Sequence, residues 1–362
     1  MRILLCFLGG CFAVSGAAAE QPTPVNPEAQ KLADFVLSGL KDARDRLQSG
    51  MFVAHGHLDL THRKLDPLEG PIEVFSAFDF RTQMFRFDRL EPIWLVPSPK
   101  ERRAGDATSM KVVQLGGKFV ERPDRTIQWM GAEPWVWIRP ANASPHGAIR
   151  PFDIRLIGLL NWGTVDRSVT WQRMLEILHR PVQDAVKETD SLYRLVFVYE
   201  KSGVRIDHLF DANLGFSPVR TEERQRARDA TGPWPEPREL QEVSWIKKNN
   251  VWVPTSWYQE ILSPLDPRRR ELTFQWQAVN EPIEEQVFSW EGFRVPNGTE
   301  ILEKRLGKVI TVARVGDPSR DHGPPQGSWG LFRWLLVGVS LGVIVLLLAW
   351  FGLRNRLRRW RS

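Results

Sequence analysis

The chain has 362 residues, 42% of them hydrophobic and 25% charged, with 27 Gly and 26 Pro, which excludes disordered, collagenous and disulfide-scaffold proteins and leaves room for a large core. The net charge of +6 is local: Arg2 and the six arginines from Arg333 onward account for more than all of it, no Asp or Glu follows Asp321, and the rest of the chain is one charge below neutral. A near-neutral body with a basic end fits a membrane address and argues against nucleic acid as a partner.

Residues 1 to 19 place Arg2 before the apolar stretch Ile3 to Val14 and close on Ala17-Ala18-Ala19. That is the pattern of a secretory signal peptide with an A-x-A cleavage site. Leu8-Gly9-Gly10-Cys11 also fits a lipobox, which would lipidate Cys11. Cys6 and Cys11 are the only cysteines, so the mature chain is expected to carry no thiol, and disulfides, zinc-thiolate sites and cysteine nucleophiles are excluded from it.

The exported body spans residues 20 to 315. It opens with a helix over Asn26 to Leu47: Asn26 caps, Pro27 and Glu28 occupy the first turn, and Ala29, Leu32, Ala33, Val36, Leu40, Ala43 and Leu47 form one apolar stripe. A second helix is predicted over Ser168 to His179, where Trp171, Met174, Leu175 and Leu178 share a face. The remainder reads as strands. They are Met51 to Thr61, Ile72 to Phe80, Met84 to Arg89, Lys111 to Leu115, Arg125 to Met130, Trp135 to Ile138, Leu192 to Glu200 and Arg205 to Asp211, followed by Ser217 to Glu223, Glu239 to Lys247, Val251 to Leu262, Glu271 to Ala278, Glu285 to Ser289 and Lys308 to Arg314. Many alternate apolar with polar, as sheets with one wet face do. Lys247-Lys248-Asn249-Asn250 and Lys201-Ser202-Gly203 read as hairpin turns. Strands joined by short turns with few helices between them point to a mainly β fold built on an antiparallel sheet.

Residues 316 to 328 form a Gly/Pro-rich connector. Trp334 to Leu353 then runs for 20 residues without a charge, which at about 1.5 Å per residue matches a hydrocarbon core of about 30 Å. Trp329 and Trp334 mark one rim, Trp350 and Trp360 the other, and the arginines from Arg354 to Arg361 follow. The expectation is one transmembrane helix within residues 329 to 353, a bacterial inner-membrane location, the body outside the cytoplasm and a basic tail, residues 354 to 362, inside.

A leader, an amphipathic helix, a long antiparallel meander and a helical segment midway resemble the LolA/LolB/RseB-type group of secreted bacterial proteins, in the large form of planctomycete-like bacteria. The residues that carry this are the strand pair IEVFSAFDF and TQMFRFDRLEP, the hairpin SWIKKNNVWVPTSWYQEIL, and FQWQAVNEPIEEQVFSW followed by VPNGTEIL. The resemblance implies a curved sheet, an open half-barrel, whose concave face takes an acyl chain or envelope lipoprotein. This chain is longer than the minimal carriers, and its apolar segment rules out free shuttling, so a tethered binding protein is expected, with the bilayer as partner, no cofactor and no catalysis.

Three constellations compete for chemistry. His55, His57 and Asp59 lie two apart, so one side of a strand would present three metal ligands, with His62 nearby; they resemble the His-x-His-x-Asp of metallo-beta-lactamase-type hydrolases, but Leu60 stands where those have His. Equally, Ala54, Gly56, Leu58 and Leu60 would face a core and the polar set would face water. Trp135 with Trp137 and Trp252 with Trp257, among 12 Trp in the body, serve as core filling, as a hydrophobic ligand floor or as a sugar-stacking platform. A glycan-binding or glycan-cleaving body would need carboxylates beside such rings; Asp79 and Asp88 on neighbouring strands and Glu281, Glu284 and Glu285 in a loop are the candidates. Arg102-Arg103 and Arg268-Arg269-Arg270 are short basic runs that solvate a loop or touch lipid headgroups. No nucleophile elbow, Walker loop or dinucleotide fingerprint is present.

Overall fold

The computed structural model describes residues 26–62, 65–95, 111–131, 133–141, 153–160, 170–180, 182–227, 230, 232–262, 267–305 and 308–316. The leader, the connector beyond Gly316, the apolar segment, the basic tail and Arg102-Arg103 lie outside them. Among the described residues no helix is long and apolar enough to cross a membrane.

Asn26 accepts hydrogen bonds from the amides of Glu28 and Ala29 and starts helix α1 (Pro27–Asp45), which buries Ala29, Ala33, Val36, Leu37, Leu40 and Arg44. Strands β1 (Ser49–His62), β2 (Leu65–Asp79), β3 (Met84–Leu95), β4 (Lys111–Glu121), β5 (Arg125–Met130) and β6 (Trp135–Pro140) follow. After α2 (Trp171–Leu178), capped by Thr170, come β7 (Asp184–Lys187), β8 (Leu192–Tyr199), β9 (Val204–Asp211), β10 (Ser217–Gln225), β11 (Glu239–Lys248), β12 (Val251–Ile261) and β13 (Arg268–Val279). β14 (Glu300–Arg305) and β15 (Lys308–Arg314) close the series. All join one sheet in the order β15-β14-β6-β5-β4-β3-β2-β1-β13-β12-β11-β10-β9-β8-β7. Its edges, β15 and β7, do not pair with each other, so the sheet is open, and a twisted sheet of this breadth curls.

The centre of the sheet is the antiparallel pairing of β1 with β13, near the two ends of the body. Gly56 sits there because nothing larger fits: a Cβ at this position would lie 1.7 Å from the Glu271 carbonyl oxygen. Asn249 and Asn250 both take left-handed φ, 46° and 61°, as a tight hairpin between β11 and β12 requires.

One face of the sheet, the inner one, packs against α1, α2 and the segment Ile154–Leu159; Phe52, Ala54, Leu58, Phe87, Phe119, Leu195, Phe210, Val253, Trp257, Leu272 and Phe274 belong to this core. A second core lies on the outer face. The chain leaves β13 beside β1 but must place β14 beside β6, so residues 280–299 cross the outside of the sheet, and this crossover makes β14 parallel to β6. Phe288 and Phe293, both fully buried, anchor it on Ala77, Val120, Ile127, Val136 and Ile301. The strand expected over Glu285 to Ser289 is therefore corrected: it is a 3-10 turn, Glu285–Phe288, held by burial of one phenylalanine without a strand partner. β7 and β14 were not read from the sequence. The first has four residues, and the second carries only Ile301 and Leu302 as apolar side chains.

Candidate functional site

β1 alternates as its sequence requires. Ala54, Leu58 and Leu60 are buried on the inner face, while His55, His57 and Asp59 are exposed on the outer one. His57 Nε2 lies 3.2 Å from Glu69 Oε1 across β2. Among the described residues no group of three His, Cys, Asp or Glu is placed to hold a metal ion.

The four tryptophans do not gather into one floor. Trp135 and Trp137 share the inner face of β6 and are half-buried, with the Arg139 guanidinium 5.2 Å from the Trp137 ring. Trp257 is 1% exposed on the inner face of β12, seven strands away in sheet order, about 30 Å along a flat sheet. Trp252 sits beside Gly215 and Ala43, where it fastens the end of α1.

What the inner face does assemble is a polar row that crosses five adjacent strands. His208, Thr221, Gln241, Gln259 and Arg270 stand opposite one another in successive pairings from β9 to β13. The first four are buried. The hydroxyl of Thr221 donates to the Gly158 carbonyl at 2.6 Å and so accepts from His208 Nδ1 at 2.8 Å, which leaves Nε2 as the deprotonated nitrogen. Trp257 Nε1 donates to Gln241 Oε1 at 3.2 Å, and the amides of Gln241 and Gln259 both donate to Glu239 Oε1, at 2.9 and 2.8 Å. The next rung toward the far end of β1 sets Glu223 opposite Glu239.

Burial governs the charges here. It pushes the His208 imidazole down to about 4, so the ring is neutral. It raises the Glu223 carboxyl to about 7, with the neighbouring Glu239 charge adding to the effect. Arg270, partly buried, is lowered to about 10 by desolvation against the attraction of Glu91 and Glu239, and its Nε has no hydrogen-bond partner. Arg89, paired with Glu91, likewise keeps a buried Nε without a partner. On the α1 side of this row the inner face is apolar, with Val243, Trp257, Leu272, Phe274 and Phe52. The two amides are satisfied by Glu239 and the Arg270 Nε is not, all beside a buried apolar core; Thr221, whose proton is committed to a carbonyl, is not an activated nucleophile.

A groove of about 520 Å³ opens on the outer face instead. Gly116 and Gly131 leave the depression, and Val53, Phe75, Leu90 and Trp129 stand around it with Glu73, Asp88 and Lys118. Asp88 is held by Arg86 at 2.6 Å, yet burial raises its carboxyl above the usual range. Lys118 donates to the Phe293 carbonyl of the crossover. Asp79, the other carboxylate of interest, binds Arg81. Glu285 pairs with Arg122 at 2.7 Å and Glu281 accepts from Asn249 at 3.0 Å, so both fasten the crossover.

The polar row was not read from the sequence, though a signal for it exists. Continuing the inner phase of each strand turns Val243 into Gln241, Trp257 into Gln259 and Leu272 into Arg270, a change from apolar to polar at one level in three neighbours.

No protein-family model and no curated protein matches the chain. Among solved structures it is similar to a DUF1329 family protein from Desulfovibrio piger, at 8% identity over 73% of this chain and 99% of that one, with a TM-score of 0.38. It is also similar to a putative outer membrane lipoprotein-sorting protein domain from Vibrio parahaemolyticus, at 10% identity, 71% and 97% coverage and a TM-score of 0.35. A LolA superfamily protein from Nitrosomonas europaea is similar at 9% identity, 72% and 99% coverage and a TM-score of 0.34.

Proposed function

We propose that the chain is a membrane-tethered, extracytoplasmic binding protein, without catalysis, that takes an amphiphile, a lipid acyl group or the acylated end of an envelope lipoprotein, on the inner face of its sheet. One observation carries this reading: the transverse row His208–Thr221–Gln241–Gln259–Arg270 borders an apolar surface. His208, Thr221, Gln241 and Gln259 are partnered within the protein, but the row ends on Arg270, whose buried Nε has no hydrogen-bond partner, and a buried polar atom left so costs free energy that a ligand acceptor would return. An amphiphile uses both parts. Its ester or amide carbonyls accept from the Arg270 guanidinium, and its chains enter by displacing the packing over Phe52, Phe274 and Leu272, which are buried without it. The tether is the uncharged segment Trp334 to Leu353, and the arginines after it hold the tail in the cytoplasm.

Native mass spectrometry of the full chain extracted from membranes tests the binding. A bound lipid of discrete mass, retained by the native chain and lost in an Arg270→Leu variant that melts as the native chain does, supports the reading; a ligand-free chain overturns it. A phosphatase fused after Ser362 that is active outside the cell overturns the topology.

The groove at Trp129 favours a second reading, a glycan-binding body, because an indole beside Glu73 and Asp88 matches the apolar face and hydroxyls of a sugar. Quenching of Trp129 fluorescence by envelope oligosaccharides, abolished by Trp129→Ala, would select it over the first.

A further inference from the structure

Six large apolar side chains are exposed among the described residues, and three of them fall within four consecutive positions of β15: Val309 at 53%, Ile310 at 38% and Val312 at 37%. β15 is an edge, hydrogen-bonded on one side to β14. The opposite edge is managed differently. β7 is four residues long, has Asp184 and Lys187 at its ends, and packs against α1. An exposed β-branched edge calls for a cover.

The residues around it say which cover fits. Lys308 and Arg314 stand at the two ends of β15, which holds no acidic residue, and the exposed Lys304 and Arg305 lie on its hairpin partner; Glu300 and Glu303 of that partner pair with Arg314 and Arg305, so Lys304 and Lys308 are the cations the hairpin turns outward. Antiparallel pairing with a second copy of β15 would set Lys308 against Arg314 at both ends, like charges opposed. The pairing of Ile301 with Ala313 and of Leu302 with Thr311 leaves Val312 with no residue across from it, a bulge of the kind that blocks strand addition. A bilayer surface needs no hydrogen-bond ladder; it accepts short apolar side chains among its headgroups and pairs cations with phosphate. Gly316 precedes the apolar segment at Trp334 by 18 residues, at most about 60 Å of extended chain, so a chain tethered there keeps β15 within reach of the membrane.

We infer that the β14–β15 edge docks on the anionic lipid surface to which the chain is tethered, standing the sheet edge-on to the bilayer. The inference rests on the tether reading. It is tested with the full chain, Cys6 and Cys11 replaced by Ser, carrying an environment-sensitive fluorophore at Ile310→Cys and, as a control, at Asp184→Cys. In nanodiscs containing phosphatidylglycerol the label at 310 shifts to the blue and is quenched by brominated lipid, and the label at 184 is not. Both effects are lost in discs of phosphatidylcholine alone and in the Lys304→Glu/Lys308→Glu variant. A water-like label at 310 in chains that remain in the disc fraction overturns the docking and leaves the tether standing. A blue shift that depends on protein concentration and not on lipid overturns it in favour of self-pairing. Chains that leave the disc fraction overturn the tether; phosphatidylglycerol vesicles added to them then decide the docking by the same shift.

Discussion

Arg44 gives the sharpest energetic test. It lies in the last turn of α1, 2% exposed, with Nε and Nη2 lacking hydrogen-bond partners and its guanidinium 4.0 Å from the centre of the Trp245 ring. Burial drives it from the usual guanidinium range down to about 9, with Asp153 opposing and Arg155 reinforcing the fall. At about 1.4 kcal/mol per pH unit this corresponds to about 5 kcal/mol held against the charged form. The stacking on indole returns about 2 kcal/mol, and a cation at a helix C-terminus about 0.5 kcal/mol. Arg44→Met keeps the helix propensity and fills the same space, so it is expected to stabilise the protein by about 2 kcal/mol, a rise in melting temperature of roughly 3 °C for a body of this length. The folded-state value lies below the unfolded one for a base, so the burden is complete below pH 9 and lifts only as the pH rises from there toward the range of a free guanidinium; the gain is the same at pH 6 and pH 8. Thermal melts of the full chain in detergent followed by near-ultraviolet circular dichroism read it. A variant destabilised by about 1 kcal/mol or more would refute the reasoning and show that Arg44 holds an anion.

His208 makes the fold acid-labile. The unfolded ring takes a proton near 6.5 and the folded one near 4, so stability falls as pH drops from 6.5 to 4, by about 3 kcal/mol in all; urea midpoints of His208→Gln should lose that slope. Glu223 works in the opposite direction: raised from 4.5 to about 7, its contribution is present below pH 4.5 and lost as pH rises through 7. Glu223→Gln is therefore expected to match the native chain at pH 4 and exceed it at pH 8, and equal midpoints at pH 8 would count against the buried carboxyl. Gly56→Ala drives a methyl onto the Glu271 carbonyl oxygen and should cost about 3 kcal/mol or more; a native-like melt would mean that β1 and β13 are not the rigid centre.

Alternation in β1 and the stripe of α1 were legible because each is a local period: Ala54, Leu58 and Leu60 needed only the pleat, and Val36 and Leu40 only the helical repeat. The crossover was not. Glu285 to Ser289 carries the composition of a strand, and what makes it a turn is that Phe288 has a pocket waiting on β4 to β6, 150 or more residues earlier in the chain. Topology of that kind leaves no trace in a window of ten residues.

The same distinction governs the candidate site. Trp135, Trp137, Trp252 and Trp257 stand out by residue type, but binding surfaces in a sheet are assembled across strands, and a row is visible only once registers are known. Gln241, Gln259 and Arg270 look like ordinary solvated positions one strand at a time. Register places them at one level of the inner face, where Trp257 and Glu239 bind the two amides. A polar row one rung deep, bordered by aromatic side chains, is a more specific feature of this sheet than the tryptophans themselves. Apolar rows alone are also what any core contains, whereas two buried carboxamides converging on one carboxylate require a reason beyond packing.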